Sequence, residues 1–201
     1  MPAGLSYVEL HLHSCWSLRE GASKPEELLL RAKELGYNTL ALTDHDGLYG
    51  SMEFAQRARE LGIRPITGAE LTLTDGSHLT VLAETVAGYR NLCRLLSLAH
   101  QHDREDPRTE RQALFSSSEG LIVLSGCPEG EIARLLDEGD ARAAEAVAAE
   151  YQDRLGADHF FLELQQHGVY GDSSRVVAVD QLSRRLGIPT VVTNNVHYHT
   201  R

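Results

Sequence analysis

The chain has 201 residues, 42% hydrophobic and 24% charged, proportions that are ordinary for a soluble globular protein with one sizeable core. Its 29 acidic and 19 basic residues give a formal net charge of −10, so it is a poor nucleic-acid binder alone; bound cations or a neighbouring basic domain would have to attract DNA. The odd number of cysteines, three, argues against a disulfide framework. The sequence has no apolar stretch long enough to span a bilayer and no signal-peptide pattern, so we predict a cytoplasmic protein.

Strands and helices alternate through the first half of the chain, beginning with a strand predicted over Tyr7–Leu12. Ser23-Lys24-Pro25-Glu26 predicts a helix start, with Ser23 as N-cap, proline in the first turn and glutamate completing a capping box. Gly36 then suits a C-cap. The next predicted elements are a strand over Thr39–Thr43, a helix over Leu48–Leu61, a strand over Pro65–Leu73, a hairpin turn at Asp75-Gly76 and a strand over His78–Ala83.

The second half continues the alternation. Its predicted elements are a helix over Ala87–His100, a long polar loop over His102–Glu119, a strand over Leu121–Ser125, helices over Glu129–Leu136 and Ala141–Leu155, a strand over Phe160–Leu164, a helix over Ser174–Leu186 and a strand over Thr190–Thr193. Repeated strand–helix units predict an α/β fold with a mostly parallel sheet, in a single domain over residues 1–201. A barrel would need one more helix after the last strand, so we expect a fragment or N-terminal module of a longer chain.

Five apolar runs end in side chains that can bind a divalent metal, and a sixth candidate opens a run. These residues are His11 and His13, Asp44 and His45, Glu70, Cys127, Asn195 and His197, with His78 as the opening residue. Imidazole, carboxylate and thiolate suit borderline cations, Zn²⁺ best and Mn²⁺ or Fe next. At strand ends they would converge on one mouth of an α/β barrel, which predicts a multinuclear metal site.

Single histidines in such runs are more often buried and satisfied by neighbours than bound to metal. His11-Leu12-His13 places two imidazoles on one side of a strand, and its combination with Thr43-Asp44-His45-Asp46 is more specific. Cys127 could be a plain buried apolar residue. Asp44 is expected to orient an imidazole, and supporting or surface positions are expected for Glu163, Gln165 and His167. No metal role is predicted for Cys15, His100, His102, His159 and His199.

Several motifs in order resemble the PHP (polymerase and histidinol phosphatase) family. They are His11-Leu12-His13-Ser14, Glu20-Gly21-Ala22-Ser23, Leu42-Thr43-Asp44-His45-Asp46, Gly68-Ala69-Glu70, Leu124-Ser125-Gly126-Cys127 and Thr193-Asn194-Asn195-Val196-His197-Tyr198. The resemblance covers nearly the whole chain. It is strongest to the N-terminal PHP domain of bacterial C-family polymerase alpha subunits. Gly47-Leu48-Tyr49-Gly50 and Asn195-Val196-His197-Tyr198-His199 favour the error-prone branch.

Membership would imply a distorted TIM-like (β/α)7 barrel with three divalent metal ions. The implied first-metal ligands are His11, His13, Glu70 and Asn195; those of the second are Glu70, His78 and Cys127; those of the third are Glu20, His45 and His197. His11, His13, Glu70 and His197 would be catalytic. Glu20 and Asn195 stand where the family commonly has aspartate, and the neutral amide of Asn195 places catalytic competence in question.

The resemblance implies metal-assisted hydrolysis of a phosphate ester. With polymerase domains of a parent chain as partners, the substrate would be a DNA 3′ end, and the activity a 3′→5′ exonuclease. One alternative is a catalytically weak structural or docking module stabilised by metal. Another is a stand-alone phosphatase for a small metabolite such as histidinol phosphate.

Overall fold

A computed structural model describes residues 7–200, which form an α/β domain with helices around a curled sheet. In chain order its elements are α1 (Pro25–Glu34), β1 (Thr39–Leu42), α2 (Ser51–Glu60), β2 (Arg64–Thr72), β3 (His78–Ala83), α3 (Val86–His102), α4 (Arg111–Ser116), β4 (Leu121–Leu124), α5 (Glu131–Asp137), α6 (Ala141–Leu155), β5 (Phe160–Leu164), α7 (Asp172–Leu186) and β6 (Thr190–Val192). No helix within residues 7–200 is both long enough and apolar enough to cross a bilayer.

The sheet keeps the strands in sequence order, β1 to β6. The pairs β1–β2, β4–β5 and β5–β6 are parallel, as the alternating pattern predicts. Strand β3 is antiparallel to both neighbours because the tight turn at Asp75-Gly76 joins it directly to β2, with Thr72 opposite His78. Gly76 has φ +79°, a backbone conformation that glycine adopts without strain.

The segment around residues 9–13 completes the ring between β1 and the chain that follows β6. The Ala41 amide donates to the Glu9 carbonyl at 3.0 Å, and the His13 amide donates to the Val196 carbonyl at 2.8 Å. The regular strand predicted over Tyr7–Leu12 is wrong in detail, because only isolated bridges at Glu9 and Leu12 form there. The predicted α/β barrel class is confirmed, with six regular strands and this bridging segment within the described residues.

Apolar side chains fill both sides of the sheet. The largest cluster packs helices α3 to α7 on the outer face, around side chains such as Leu92, Tyr151 and Phe160. A second cluster packs α1 and α2 against the sheet, and Ala41, Leu82 and Leu124 form a small cluster of their own. Removal of this apolar surface from water contributes roughly 25 cal/mol per Å² to folding.

Two local predictions differ from the structure. Helix α1 begins at Pro25 with Lys24 as N-cap, and the Lys24 amide donates to Glu27 Oε2 at 2.7 Å. Ser23 is therefore not the cap; its hydroxyl lies 2.7 Å from Nδ1 of His199. The segment predicted as a long loop contains α4, because Leu114 and Phe115 bury their side chains in the main core.

Candidate metal centre

The predicted ligands lie at one end of the barrel, where the parallel strands reach their carboxyl ends. His45 follows β1, Glu70 lies near the end of β2, and Cys127 follows β4. His78 opens β3, which runs antiparallel to its neighbours and so starts at this same end. Barrel enzymes keep their chemistry at this end, because side chains from several strands can converge there.

The carboxylate of Glu70 forms the centre of the cluster and is 2% exposed. Its Oε1 lies 3.3 Å from His11 Nε2 and 3.5 Å from His78 Nδ1. Its Oε2 lies 3.4 Å from His13 Nε2 and 3.0 Å from His45 Nδ1. One carboxylate therefore meets four imidazoles. Two overlapping groups, His11–His13–Glu70 and His45–Glu70–His78, each have donor atoms within 4.8 Å of one another.

Five buried atoms at this end have no hydrogen-bond partner within residues 7–200. They are Nε2 of His11, Nε2 of His13, Oε1 of Glu70, Oδ1 of Asn195 and, on the supporting residue Gln165, Oε1. An unpaired buried polar atom costs about 1–3 kcal/mol, so a group of them needs an explanation. The ligand atoms of His11, His13 and Glu70 lie within 4.8 Å of one another, so one divalent cation would satisfy all three. The residues present therefore fit a metal.

A backbone hydrogen bond places Asn195 next to the segment that carries His11. The amide of the next residue, Val196, donates to the His11 carbonyl at 2.9 Å. Asn195 itself has φ +45°, in the left-handed region that asparagine and aspartate tolerate better than most residues. The backbone turn at the end of β6 thus keeps the Asn195 amide beside the barrel mouth, with its oxygen buried.

Cys127 extends the cluster on one side. Its Sγ lies 3.6 Å from His78 Nδ1, and the side chain is buried. Burial raises the pKa of the Cys127 thiol, and the charge of Glu70 raises it further. A metal ligand must be a thiolate, so metal binding at Cys127 would release a proton.

The opposite side is more open. The imidazole of His197 stacks on that of His13, with ring centroids 4.7 Å apart. Glu20 Oε2 lies 4.0 Å from His45 Nδ1, and the Glu20 side chain is 39% exposed. Glu20, His45 and His197 do not form a group with all donor atoms within 4.8 Å in the described part of the chain. The second implied set, Glu70, His78 and Cys127, does not form such a group among the described residues either. The compact group on that side instead places His45, implied for the third metal, with Glu70 and His78.

The surroundings shift the pKa values of His11 and His13 in opposite directions. Burial alone would lower the pKa of His11, but the charges of Glu163 and Glu70 outweigh it and raise that pKa well above its ordinary value. Burial lowers the pKa of His13 to about 3, against the opposing effect of Glu70. His13 is therefore a neutral imidazole with a free lone pair, the form that binds metals.

Glu163 supports His11 from behind. Its Oε1 lies 2.7 Å from His11 Nδ1, so the other ring nitrogen points towards Glu70. Thr193 donates to the same carboxylate, and Gln165 donates to it at 2.8 Å. A carboxylate that accepts from a ligand imidazole fixes its tautomer and raises its basicity. Glu163 and Gln165 thus take the expected supporting position. His167 takes the expected surface position, exposed and bonded to the Asn194 carbonyl.

Asp44 supports His13 through an intermediate hydroxyl. Ser17 Oγ donates to Asp44 Oδ1 at 2.7 Å and lies 3.1 Å from His13 Nδ1. Asp44 also accepts from the amide and the hydroxyl of Ser14. Asp44 therefore orients the imidazole indirectly and holds the loop that leads to Glu20.

The sequence analysis missed Glu9, Ser17 and Thr80. The carboxylate of Glu9 accepts from the amides of His11 and Asn194, at 3.0 and 3.1 Å, and so connects the two chain segments that supply ligands. Thr80 Oγ1 lies 3.0 Å from His11 Nδ1. Glu9 precedes His11 by two residues, and this strand-like spacing was the one sequence signal that could have placed it beside His11. A hydroxyl in a strand or a loop has no comparable signature.

Known proteins share sequence and fold with this chain. The family model for the PHP domain matches residues 9–167. The chain is 41% identical to an error-prone DNA polymerase of Symbiobacterium thermophilum, and 40% identical to the DNA polymerase III subunit alpha of Treponema pallidum. Each alignment covers 98% of this chain but only 20% and 18% of the relatives, so the chain spans about a fifth of their length.

A solved structure shares the fold at low sequence identity. It is endonuclease Q in complex with a 27-mer duplex substrate that has an abasic lesion at the active site. The superposition has a TM-score of 0.61 at 16% identity and covers 96% of this chain and 49% of that one. At this identity the likeness supports the fold alone.

Proposed function

The chain belongs to the PHP domain family, and on that premise we propose that it is a metal-dependent phosphoesterase domain with a trinuclear centre. The observation that supports this most directly is the group of unpartnered donor atoms on His11, His13, Glu70 and Asn195. A purely structural cluster of histidines would be expected to satisfy these atoms by hydrogen bonds. The buried, four-imidazole surroundings of the Glu70 carboxylate add to the argument.

Three ligand sets would hold the metals. His11, His13, Glu70 and Asn195 would hold the first; Glu70, His78 and Cys127 the second; and Glu20, His45 and His197 the third. Bound Zn²⁺, Mn²⁺ or Fe ions would supply Lewis-acid polarisation of the phosphate ester and a water of lowered pKa. Glu70 has two oxygens that face different imidazoles, which suits a bridging role.

The surrounding side chains would orient the imidazole rings of the proposed ligands. Glu163 fixes the His11 ring by accepting at Nδ1, and Ser17 fixes the His13 ring in the same way. Burial of His11 and His13 excludes water from the inner side of the site, while the exposed carboxylate of Glu20 marks the side open to substrate. His11, His13, Glu70 and His197 would be the catalytic residues through these contacts.

The proposed substrate is the 3′ end of a DNA strand, cleaved as by a 3′→5′ exonuclease. The relatives are DNA polymerases of about five times this length, so the proposed partners are the polymerase domains of a parent chain. The cations would also provide the positive charge that the acidic chain lacks. A small phosphorylated metabolite fits less well, because this likeness to polymerases extends over 98% of the chain.

One observation favours a second candidate, a structural or docking module with weak catalysis. Asn195 offers a neutral amide oxygen at a position where the first metal would gain from a carboxylate. The metals would then stabilise the barrel and brace the polymerase domains. The two candidates share the metal site and differ in turnover.

Hydrolysis of an oligonucleotide labelled at its 3′ end tests the first candidate. We expect metal-free protein reloaded with Mn²⁺ or Zn²⁺ to release the label, and His11→Ala to abolish release. His159→Ala is the matched control, because His159 is an exposed histidine that pairs with Glu84 instead. Metal retention without hydrolysis at any metal concentration would instead support the structural module.

A further inference from the structure

Two exposed aromatic rings lie beside the metal centre. Trp16 is 43% exposed and Tyr49 is 62% exposed, and their ring centroids are 6.3 Å apart. The Trp16 amide donates to Ser14 Oγ, which in turn donates to Asp44. The rings therefore belong to the two loops that follow His13 and His45.

Two glycines hold these rings in place. A Cβ on Gly50 would lie 2.6 Å from Trp16 Cδ1, and a Cβ on Gly47 would lie 2.4 Å from Tyr49 Cε2. Each ring thus packs against a glycine that has no side chain, and its other side is exposed to solvent. Exposed aromatic faces fixed in this way can stack on bases of any sequence.

A basic pocket continues from the aromatic pair. His100 lies in T-shaped contact with Tyr49, at 6.4 Å between centroids, and its Nε2 bonds to the Asp46 carbonyl at 2.7 Å. His100 also lines a pocket of about 430 Å³ together with Arg94, Ser97, Leu98, Gln101 and Arg104. The aromatic pair, His100 and this pocket are therefore continuous over the surface.

The pocket is basic in a chain that is acidic overall. Helix α3, residues 86–102, contains Arg90 and Arg94 but no aspartate or glutamate, whereas the whole chain has a net charge of −10. Neither Arg94 nor Arg104 forms an ion pair within residues 7–200, but Arg104 is flanked in sequence by Asp103 and Glu105. Arg94, whose helix contains no acidic residue, is therefore the better placed of the two to bind an anion such as a backbone phosphate.

We propose that Trp16, Tyr49, His100, Arg94 and Arg104 form a track that binds single-stranded nucleic acid and directs its 3′ end to the metal centre. Bases would stack on the two aromatic rings, and phosphates would bind the two arginines. This inference rests on the proposed phosphoesterase function and adds the residues that would bind its substrate strand. Charge complementarity supports nucleic acid over a neutral protein surface as the occupant.

Trp16 is the one tryptophan of the chain, so its fluorescence reports directly on the track. The metal-loaded chain would be titrated with a single-stranded oligothymidylate whose 3′ linkages are hydrolysis-resistant phosphorothioates. We expect saturable quenching of Trp16 and about tenfold weaker binding for Tyr49→Ala. Absence of quenching at oligonucleotide concentrations that saturate other probes would overturn the track and favour a protein-docking surface.

The arginines are tested by salt dependence. The double variant Arg94→Gln/Arg104→Gln should bind more weakly and lower the slope of log affinity against log salt by about 1.4, since each single-strand phosphate contact contributes about 0.7. Arg59→Gln/Arg142→Gln is the matched control, because it removes the same charge from exposed arginines on α2 and α6. Equal slopes for the two double variants would overturn the arginine assignment.

Hydrolysis of bis(p-nitrophenyl) phosphate separates this inference from the proposed function. We expect the ratio of kcat/KM for the unmodified oligonucleotide to that for the small diester to fall about tenfold in Tyr49→Ala. An unchanged ratio would overturn the track while the phosphoesterase stands. Quenching by oligonucleotide without hydrolysis of either substrate would overturn the phosphoesterase while the track stands.

Discussion

Glu163 Oε1 lies 2.7 Å from His11 Nδ1, and both side chains are fully buried. A buried carboxylate and imidazole at this distance act as one unit, because each stabilises the charged form of the other. The free nitrogen of His11 faces Glu70, so Glu163 orients this proposed metal ligand from the side away from the cluster. Such carboxylate–histidine pairs tune metal affinity without contacting the metal.

Glu163→Gln is expected to weaken metal binding at the first site about 10- to 100-fold, because the amide keeps the shape but loses the charge that orients His11. Competition with a chromogenic chelator measures the affinity. Glu84→Gln is the matched control, since Glu84 is an exposed partner of His159. Equal metal affinities for the two variants would contradict the supporting role of Glu163.

Removal of metal is expected to lower the melting temperature by about 5–10 °C. A ligand present at a hundred times its Kd stabilises the native state by about 2.7 kcal/mol, and a domain of this size shifts by about 2–4 °C per kcal/mol. Thermal unfolding followed by circular dichroism, before and after dialysis against a chelator, measures the shift. Superimposable curves would mean that the cluster binds no metal.

Asn195→Asp is expected to tighten metal binding about tenfold or more and to raise hydrolysis, because a carboxylate adds a counter-charge to the first metal. The backbone should accept the change, since aspartate also tolerates the φ of +45° at this position. Asn194→Asp, at an exposed neighbour, is the control. If both variants leave affinity and turnover unchanged, the Asn195 side chain is not a ligand.

Gly21→Ala is expected to destabilise the fold by about 1–3 kcal/mol and to weaken the third metal site. A Cβ at Gly21 would lie 2.0 Å from the Ser14 carbonyl oxygen, so the loop that carries Glu20 must move. Chemical denaturation and metal stoichiometry together measure both effects. Gly62→Ala is the control: nothing surrounds that position, so it should lower stability through its φ of +75° but leave the metal content intact.

The positions of the ligands were largely predictable, and the reason is topological. In a sheet of strand–helix units, residues that end apolar runs share one edge, so His45, Glu70 and Cys127 could be grouped without coordinates. The PHP family and the α/β fold followed from the same residues and are confirmed. The metal count and the ligand roles stay predictions.

Contacts between side chains distant in sequence were not predictable. Ser17 lies between Asp44 and His13 only because of the loop geometry, and nothing in its sequence neighbourhood marks it. Ser23 fits a helix cap by local rules, yet its hydroxyl pairs with His199, which is 176 residues away. Tertiary contacts here override local preference, as they do at α4, where burial of Leu114 stabilises a helix in a polar segment.

The backbone contact between His13 and Val196 can form only after the ribosome has synthesised Val196. Synthesis must add 183 residues after His13 to reach Val196, which takes about 9–37 s at roughly 5–20 residues per second. Until then the nascent chain presents histidines and a cysteine with no closed ring around them. On the proposed ligand assignment, the first metal would therefore bind only late in synthesis, and a translation product that stops before Val196 would not bind it.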